Sequence, residues 1–252
     1  MTEPTRKPGM QGETPFIDEC RAAMAEGWAA YQDHPWLRDL ADGRLTVERF
    51  LSFQLDDAPF IPYIHRTIAL GVARAPSGSA WSRAATGLLA AYFVTEETDF
   101  KRALIDSLAG APARFDDGAL TPAREAYANH LLKTGLDGSI GEIAAALYPC
   151  AMFTQVVGER FRGLDIAGPP AFAEWAGYYA NKQGAAMAEA HAAMMNQAAT
   201  TQPERDRMLF AYGRSLQHQI RVFDAAYHGY PGWPRTGWQP LDWQPLERGA
   251  AR

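Results

Sequence analysis

Apolar residues recur along most of the chain at alternating steps of three and four, and no stretch sustains a period of two. Alanine is abundant and β-branched residues are sparse, which favours helix over strand. The pattern predicts helices over about 17–31, 46–75, 79–108, 121–134, 139–162, 170–197 and 203–227. Local signals mark several ends. Thr46 is a candidate N-cap with Glu48 in the first turn, and Pro76-Ser77-Gly78 is a stop. Thr121-Pro122 places proline at the first helical position. Ser139-Ile140-Gly141-Glu142 has the capping-box spacing, and Pro203-Glu204 opens the last helix. Segments 33–35, 41–43, 109–118 and 136–138 read as loops or turns. The expectation is an all-α, single-domain bundle of seven to eight helices over residues 15–229. A flexible tail, 1–14, precedes it. An extension, 230–252, follows and carries Trp233, Trp238, Trp243 and two copies of Trp-Gln-Pro-Leu. Its prolines rule out regular helix, and its tryptophans suit packing along the domain or a neighbouring subunit.

Three polar residues stand where the helical period calls for apolar ones. Asp57 interrupts the stripe Phe50, Phe53, Phe60/Ile61, Ile64. A carboxylate in a core must be paired or hydrogen-bonded. Cys150 lies in the stripe Ile143, Leu147, Thr154, Val157, Phe161, directly after Pro149. It reads either as a small buried apolar residue or, beside a base or positive charge, as a nucleophile. Gln219 lies in the stripe Leu209, Tyr212, Leu216, Phe223, Ala226. An amide there offers donors and an acceptor but transfers no proton. Tyr127 with Leu131, and Trp175 with Tyr179, present aromatic faces. Each residue alone suits packing. Together, convergent polar groups in an aromatic helical core describe a small-molecule pocket.

Composition narrows the classes. The 252 residues carry a formal charge of −5, with 47% hydrophobic and 21% charged residues. The acidic balance argues against nucleic-acid binding driven by phosphate neutralisation. No unbroken apolar run has the length of a membrane span, and residues 1–14 hold no signal-peptide core. Cys20 and Cys150 form no disulfide or zinc pattern, and the six histidines show no HExxH spacing. A cytoplasmic setting is expected, with no metal. Glu96 and Glu97 lack a histidine three or four residues on, and the His228 of Asp224-x-x-x-His228 falls at a helix end, so a di-iron centre is disfavoured.

A set of segments resembles the TenA/thiaminase II family. They are Glu19-Cys20-Arg21, His34-Pro35-Trp36-Leu37, Asp42-Gly43-Arg44-Leu45, and Asp56-Asp57 where the family has Gln-Asp. Ala146-Leu147-Tyr148-Pro149-Cys150, Trp175 with Tyr179, and Phe223-Asp224-Ala225-Ala226-Tyr227 continue it in order. The resemblance implies a haem-oxygenase-like bundle without haem or other cofactor, acting on an aminopyrimidine related to thiamin, as a homo-oligomer (dimer or tetramer). It implies that Asp57 anchors the ring's protonated amidine and that Cys150 adds to the ring. It implies a proton-transfer position at Gln219, and Tyr127, Tyr179, Phe60, Phe53, Thr154 and Val222 as the substrate-binding lining. Four positions of the implied lining and proton-transfer set depart from the family: Gln219 replaces a glutamate, Val222 a phenylalanine, Phe60 a tyrosine and Thr154 a tyrosine. The expected activity is hydrolysis in thiamin salvage or degradation. The alternative is a non-catalytic or substrate-divergent protein that binds a small heteroaromatic amine.

Overall fold

A computed structural model of the chain describes residues 14–92, 96–110, 120–181 and 185–229. The extension 230–252 and all but the last residue of the tail 1–14 lie outside the described residues. Twelve α-helices are described: α1 (Phe16–Ala23), α2 (Ala25–Gln32), α3 (Pro35–Ala41), α4 (Val47–Asp57), α5 (Ile61–Arg74), α6 (Ala80–Tyr92), α7 (Glu96–Ala109), α8 (Pro122–Asp137), α9 (Ile140–Phe161), α10 (Pro170–Asn181), α11 (Ala185–Ala198) and α12 (Gln202–His228). A 3₁₀ turn, Ala58–Phe60, joins α4 to α5, and no strand occurs among the described residues.

The all-α expectation holds, and the higher helix count comes from breaks within predicted helices. The first divides at Met24, whose φ of −109° and ψ of 18° leave the helical region. The predicted loop after Asp33 contains α3. Pro35 occupies its first turn, and His34 Nδ1 accepts from the Trp36 N–H at 3.1 Å. Trp36, Leu37 and Leu40 are the buried face that holds it. The second predicted helix divides because Pro59 and Pro62 lack the N–H groups that would bond the Leu55 and Ala58 carbonyls. Predicted helices 79–108 and 170–197 each appear as two, and α8 runs to Asp137, past its expected end. The capping boxes at Ser139/Glu142 and Thr201/Glu204 both form, and Gly229 closes α12 at φ 71° in the left-handed region.

The apolar interior falls into two clusters. One gathers around Trp81, Tyr127, Tyr148 and Tyr212; the other around Trp36, Phe50, Phe53, Trp175 and Phe223. α9 and α12 contribute to both and pack against each other, with α10 and α11 flanking α9. α9 is long and apolar enough to cross a membrane by composition, but most of it is buried by its neighbours, as a core helix is. Gly158 permits the α9–α10 approach: a Cβ there would stand 3.0 Å from the Tyr179 carbonyl and 3.3 Å from the Ala180 Cα. Cys150, Thr154 and Gln219 lie where the two clusters meet.

Candidate active site

A cavity of about 100 Å³ occupies that junction. α4 ends on it with Asp57, and the 3₁₀ turn and the start of α5 add Phe60, Ile61 and Ile64. α9 supplies Leu147, Cys150, Ala151, Phe153 and Thr154, α10 supplies Tyr179, and α12 supplies Gln219. The wall therefore brings together Phe53, Asp57, Phe60, Cys150, Thr154, Tyr179 and Gln219 from the residues singled out in the sequence. Tyr127 and Val222 are buried but stand off the wall. Tyr127 supports it from behind, stacked on Phe60 with ring centroids 4.9 Å apart.

Asp57 is not a free carboxylate. Its Oδ2 accepts from Lys101 Nζ at 2.5 Å, and its Oδ1 pairs with Arg124 Nη1 at 2.9 Å. The cation side chains are 0% and 2% exposed, against 15% for Asp57. Asp56 lies behind. It accepts from the Thr121 N–H at 2.7 Å and hydroxyl at 3.1 Å, and from Arg124 Nε at 3.3 Å. Burial pushes the Asp56 carboxyl up, and Arg124 and Thr121 only partly offset it. Burial works against the Arg124 charge, but Asp57 and Asp56 outweigh it and hold the guanidinium above its ordinary value. Arg124 Cζ sits 5.4 Å from the Phe53 ring centroid and 4.8 Å from that of Phe60, within cation–π range of both. Its Nη2 is buried and has no hydrogen-bond partner among the described residues.

The remaining polar groups are mostly neutral. Tyr179 donates to Glu97 Oε1 at 2.8 Å; burial, then Glu97 and Asp57, hold its phenol well above the ordinary value. Burial likewise raises Tyr127 and Tyr31, with charge on Cys150 the next contributor to each. Thr154 spends its hydroxyl on the Ala151 carbonyl at 3.2 Å. At the apolar end, His191 Nδ1 accepts from Trp81 Nε1 at 3.0 Å. Burial lowers the His191 pKa to about 3, so the ring is neutral and carries its proton on Nε2.

Sequence reasoning missed Arg124 and His191 as wall residues, and Lys101 as the buried partner of Asp57 behind the wall. Two of them had a signal. Arg124 lies three residues before Tyr127, on the same face of α8, and Lys101 lies on the Glu97/Leu104 face of α7. Asp224, proposed at most as a poor metal ligand, pairs instead with His34 Nε2 at 3.1 Å. Among the described residues no group of three or more His, Cys, Asp or Glu is placed to hold a metal.

Comparison with known proteins fits this architecture. The model of the TENA/THI-4/PQQC family matches residues 21–229. The Bacillus subtilis (strain 168) protein named aminopyrimidine aminohydrolase is 29% identical over 164 residues, covering 65% of this chain and 68% of that protein. Among solved structures, the Pyrococcus furiosus TenA homologue superposes with a TM-score of 0.72 at 18% identity, covering 84% of this chain and 100% of its own. Haem oxygenase-1 from the cyanobacterium Synechocystis, solved with haem, superposes with a TM-score of 0.51 at 9% identity, covering 86% and 94%. The bundle is thus of the haem-oxygenase-like kind.

Proposed function

The chain belongs to the TENA/THI-4/PQQC family, and on that premise we propose that it is a hydrolase of a small aminopyrimidine. The substrate carries its leaving amine on a methylene attached to the ring. The observation that carries this reading is the cavity itself: Asp57, Cys150, Tyr179 and Gln219 line one cavity from four different helices. The name of the Bacillus subtilis relative supports it.

In the proposed reaction Phe53 and Phe60 flank the ring and Asp57 holds its polar edge. Cys150 Sγ, as thiolate, forms a bond to an electron-poor ring carbon. The exocyclic carbon–nitrogen bond then breaks and the amine leaves with a proton drawn from solvent. Water adds to the methylene, and the Cys150–ring bond breaks to release the hydroxymethyl product and the thiolate. Atoms balance as amine plus water giving alcohol plus ammonia. Gln219 can hold the leaving group but gives it no proton.

The test is turnover of 4-amino-5-aminomethyl-2-methylpyrimidine, and of thiamin, by pure protein, with Cys150→Ala as control. Ammonia or free thiazole released by the native protein and absent from the variant is the expected result. Turnover that survives Cys150→Ala removes the thiolate step. Gln219 favours a second reading, in which the cavity binds a heteroaromatic amine without reaction. That reading expects a calorimetric binding signal with no product, and activity only after Gln219→Glu restores an acid.

A further inference from the structure

Among the described residues Arg124 is the arginine that lines the cavity, and the reaction above leaves part of its guanidinium unused. Its Nε is engaged with Asp56 at 3.3 Å and its Nη1 with Asp57 at 2.9 Å, while Nη2 is buried and meets no acceptor. Guanidinium nitrogens donate only, and among the described residues Nη2 has no acceptor, so a ligand acceptor brought into the cavity would satisfy it. Asp57 points the same way. Both of its oxygens already face cations, Lys101 on one side and Arg124 on the other. A cationic ring edge approaching that carboxylate would meet both. Asp56 supplies the second carboxylate that keeps Arg124 charged, so the arrangement is fixed from behind. What the wall presents to a ligand is an acceptor beside a donor.

A 4-aminopyrimidine in its neutral form presents the complement: an amino N–H beside a ring-nitrogen lone pair. Protonation at either ring nitrogen makes the ring a cation beside Arg124 and Lys101, and at the adjacent nitrogen it also replaces the lone pair with an N–H that would point at Arg124. We infer that the site takes the pyrimidine in its neutral form, amino group on Asp57 and adjacent ring nitrogen on Arg124 Nη2. Arg124 is then a specificity-determining residue, and the protonated-amidine anchor expected from the sequence is replaced by a donor–acceptor pair. This rests on the pyrimidine reading proposed above.

The test is calorimetry with two probes, above and below the ring pKa of the first. One is 4-amino-5-hydroxymethyl-2-methylpyrimidine, the product of the proposed reaction. The other is its 2-trifluoromethyl analogue, whose ring nitrogen stays unprotonated throughout. The analogue reports the protein's own titration. Asp56 and Asp57 on α4 and Tyr127 on α8 act on the guanidinium, and Glu97 and Lys101 on α7 lie beside Asp57 and Tyr179. Tyr31 on α2, Tyr179 on α10, and Cys150, His65 and His191 of the cavity wall share its surroundings.

Relative to the analogue, the methyl probe is expected to lose affinity about tenfold per pH unit below its ring pKa. A ratio that rises on acidification shows the ring bound as a cation and overturns the inference, as does a ratio that stays flat. Arg124→Met is expected to weaken both probes at least tenfold, with part recovered by Arg124→Lys; unchanged affinity in folded Arg124→Met also overturns it. The native-protein comparison stands without the variants if they fail to fold. No binding of either probe at any pH, with no turnover, overturns the pyrimidine reading and this inference together. Binding of both at a flat ratio overturns the inference alone.

Discussion

On one side of the cavity, α4, α7 and α8 bring Asp57, Lys101 and Arg124 together as paired charges. On the other, α9 and α12 bring Cys150, Thr154 and Gln219, none of them a carboxylate or a cation. The charged wall is held by its own members. Lys101 and Arg124 are buried and their charges are compensated only while the carboxylates are present, so the wall tolerates change poorly. The second wall is held by the packing of α9 against α12 rather than by ion pairs. In the proposed reaction, orientation of the ligand belongs to the first wall and bond-making to the second. The expected outcomes below run from the substitution that separates them most to the one that separates them least.

Cys150→Ala on the neutral wall is expected to cut turnover by about 10⁴-fold or more, as loss of a nucleophile does, with little change in thermal midpoint. A fall in stability that tracks the fall in rate would instead mark Cys150 as a packing residue. Arg124→Met on the charged wall is expected to do the reverse. It leaves Asp56 and Asp57 with one fewer cation, at a cost of about 3–5 kcal/mol in urea unfolding. Because Asp56 is already raised by burial, part of that cost is recovered on acidification, when the stranded carboxyl takes a proton. A loss independent of pH would show that packing between Phe53 and Phe60, not charge, is what Arg124 supplies.

His191, at the apolar end, gives a smaller and oppositely signed effect. Its folded pKa is about 3 because burial disfavours the charge, below the ordinary histidine value. The unfolded chain therefore binds the proton first, and stability is lost as pH falls from about 6.5. Between about pH 7 and pH 5 this one residue is expected to cost about 2 kcal/mol. Urea unfolding of His191→Gln at the two pH values should show a correspondingly flatter acid limb. His130 and His218, both lowered to about 4 by burial, continue the loss in either protein.

The neutral wall was largely legible in the sequence, and the charged one was not. Cys150, Thr154 and Gln219 stand on long, regular helices whose period places them inward whatever the neighbours do. Asp57 was legible for the same reason. Its partners come from helices 44 and 67 residues further along the chain, and periodicity within a helix says nothing about what faces it. Arg124 and Lys101 were read past because a charged residue on a helix is ordinarily solvated. Their full burial follows only from the meeting of α4, α7 and α8. Pro59 and Pro62 were legible as interruptions of the second helix, but not where the break would place Asp57. They end α4 at Asp57 and so leave its carboxylate at a helix terminus on the cavity.

Gly158→Ala is the mildest way to disturb one wall while sparing the other. The new methyl would stand 3.0 Å from the Tyr179 carbonyl and 3.3 Å from the Ala180 Cα, and backbone does not yield as a side chain would. Such overpacking costs about 1–3 kcal/mol. Alanine regains about 0.5–1 kcal/mol of helix propensity within α9, so a net loss of about 1 kcal/mol is expected. The displacement falls on α10, the helix that carries Tyr179 into the cavity. Tyr179 bonds Glu97 on α7, four residues before Lys101, so the shift reaches the charged wall. KM is therefore expected to rise about threefold, with kcat, set at Cys150, unchanged. A fall in kcat with unaltered KM would mean that α10 positions the reacting group, and that the two walls are not separable in the way their charges suggest.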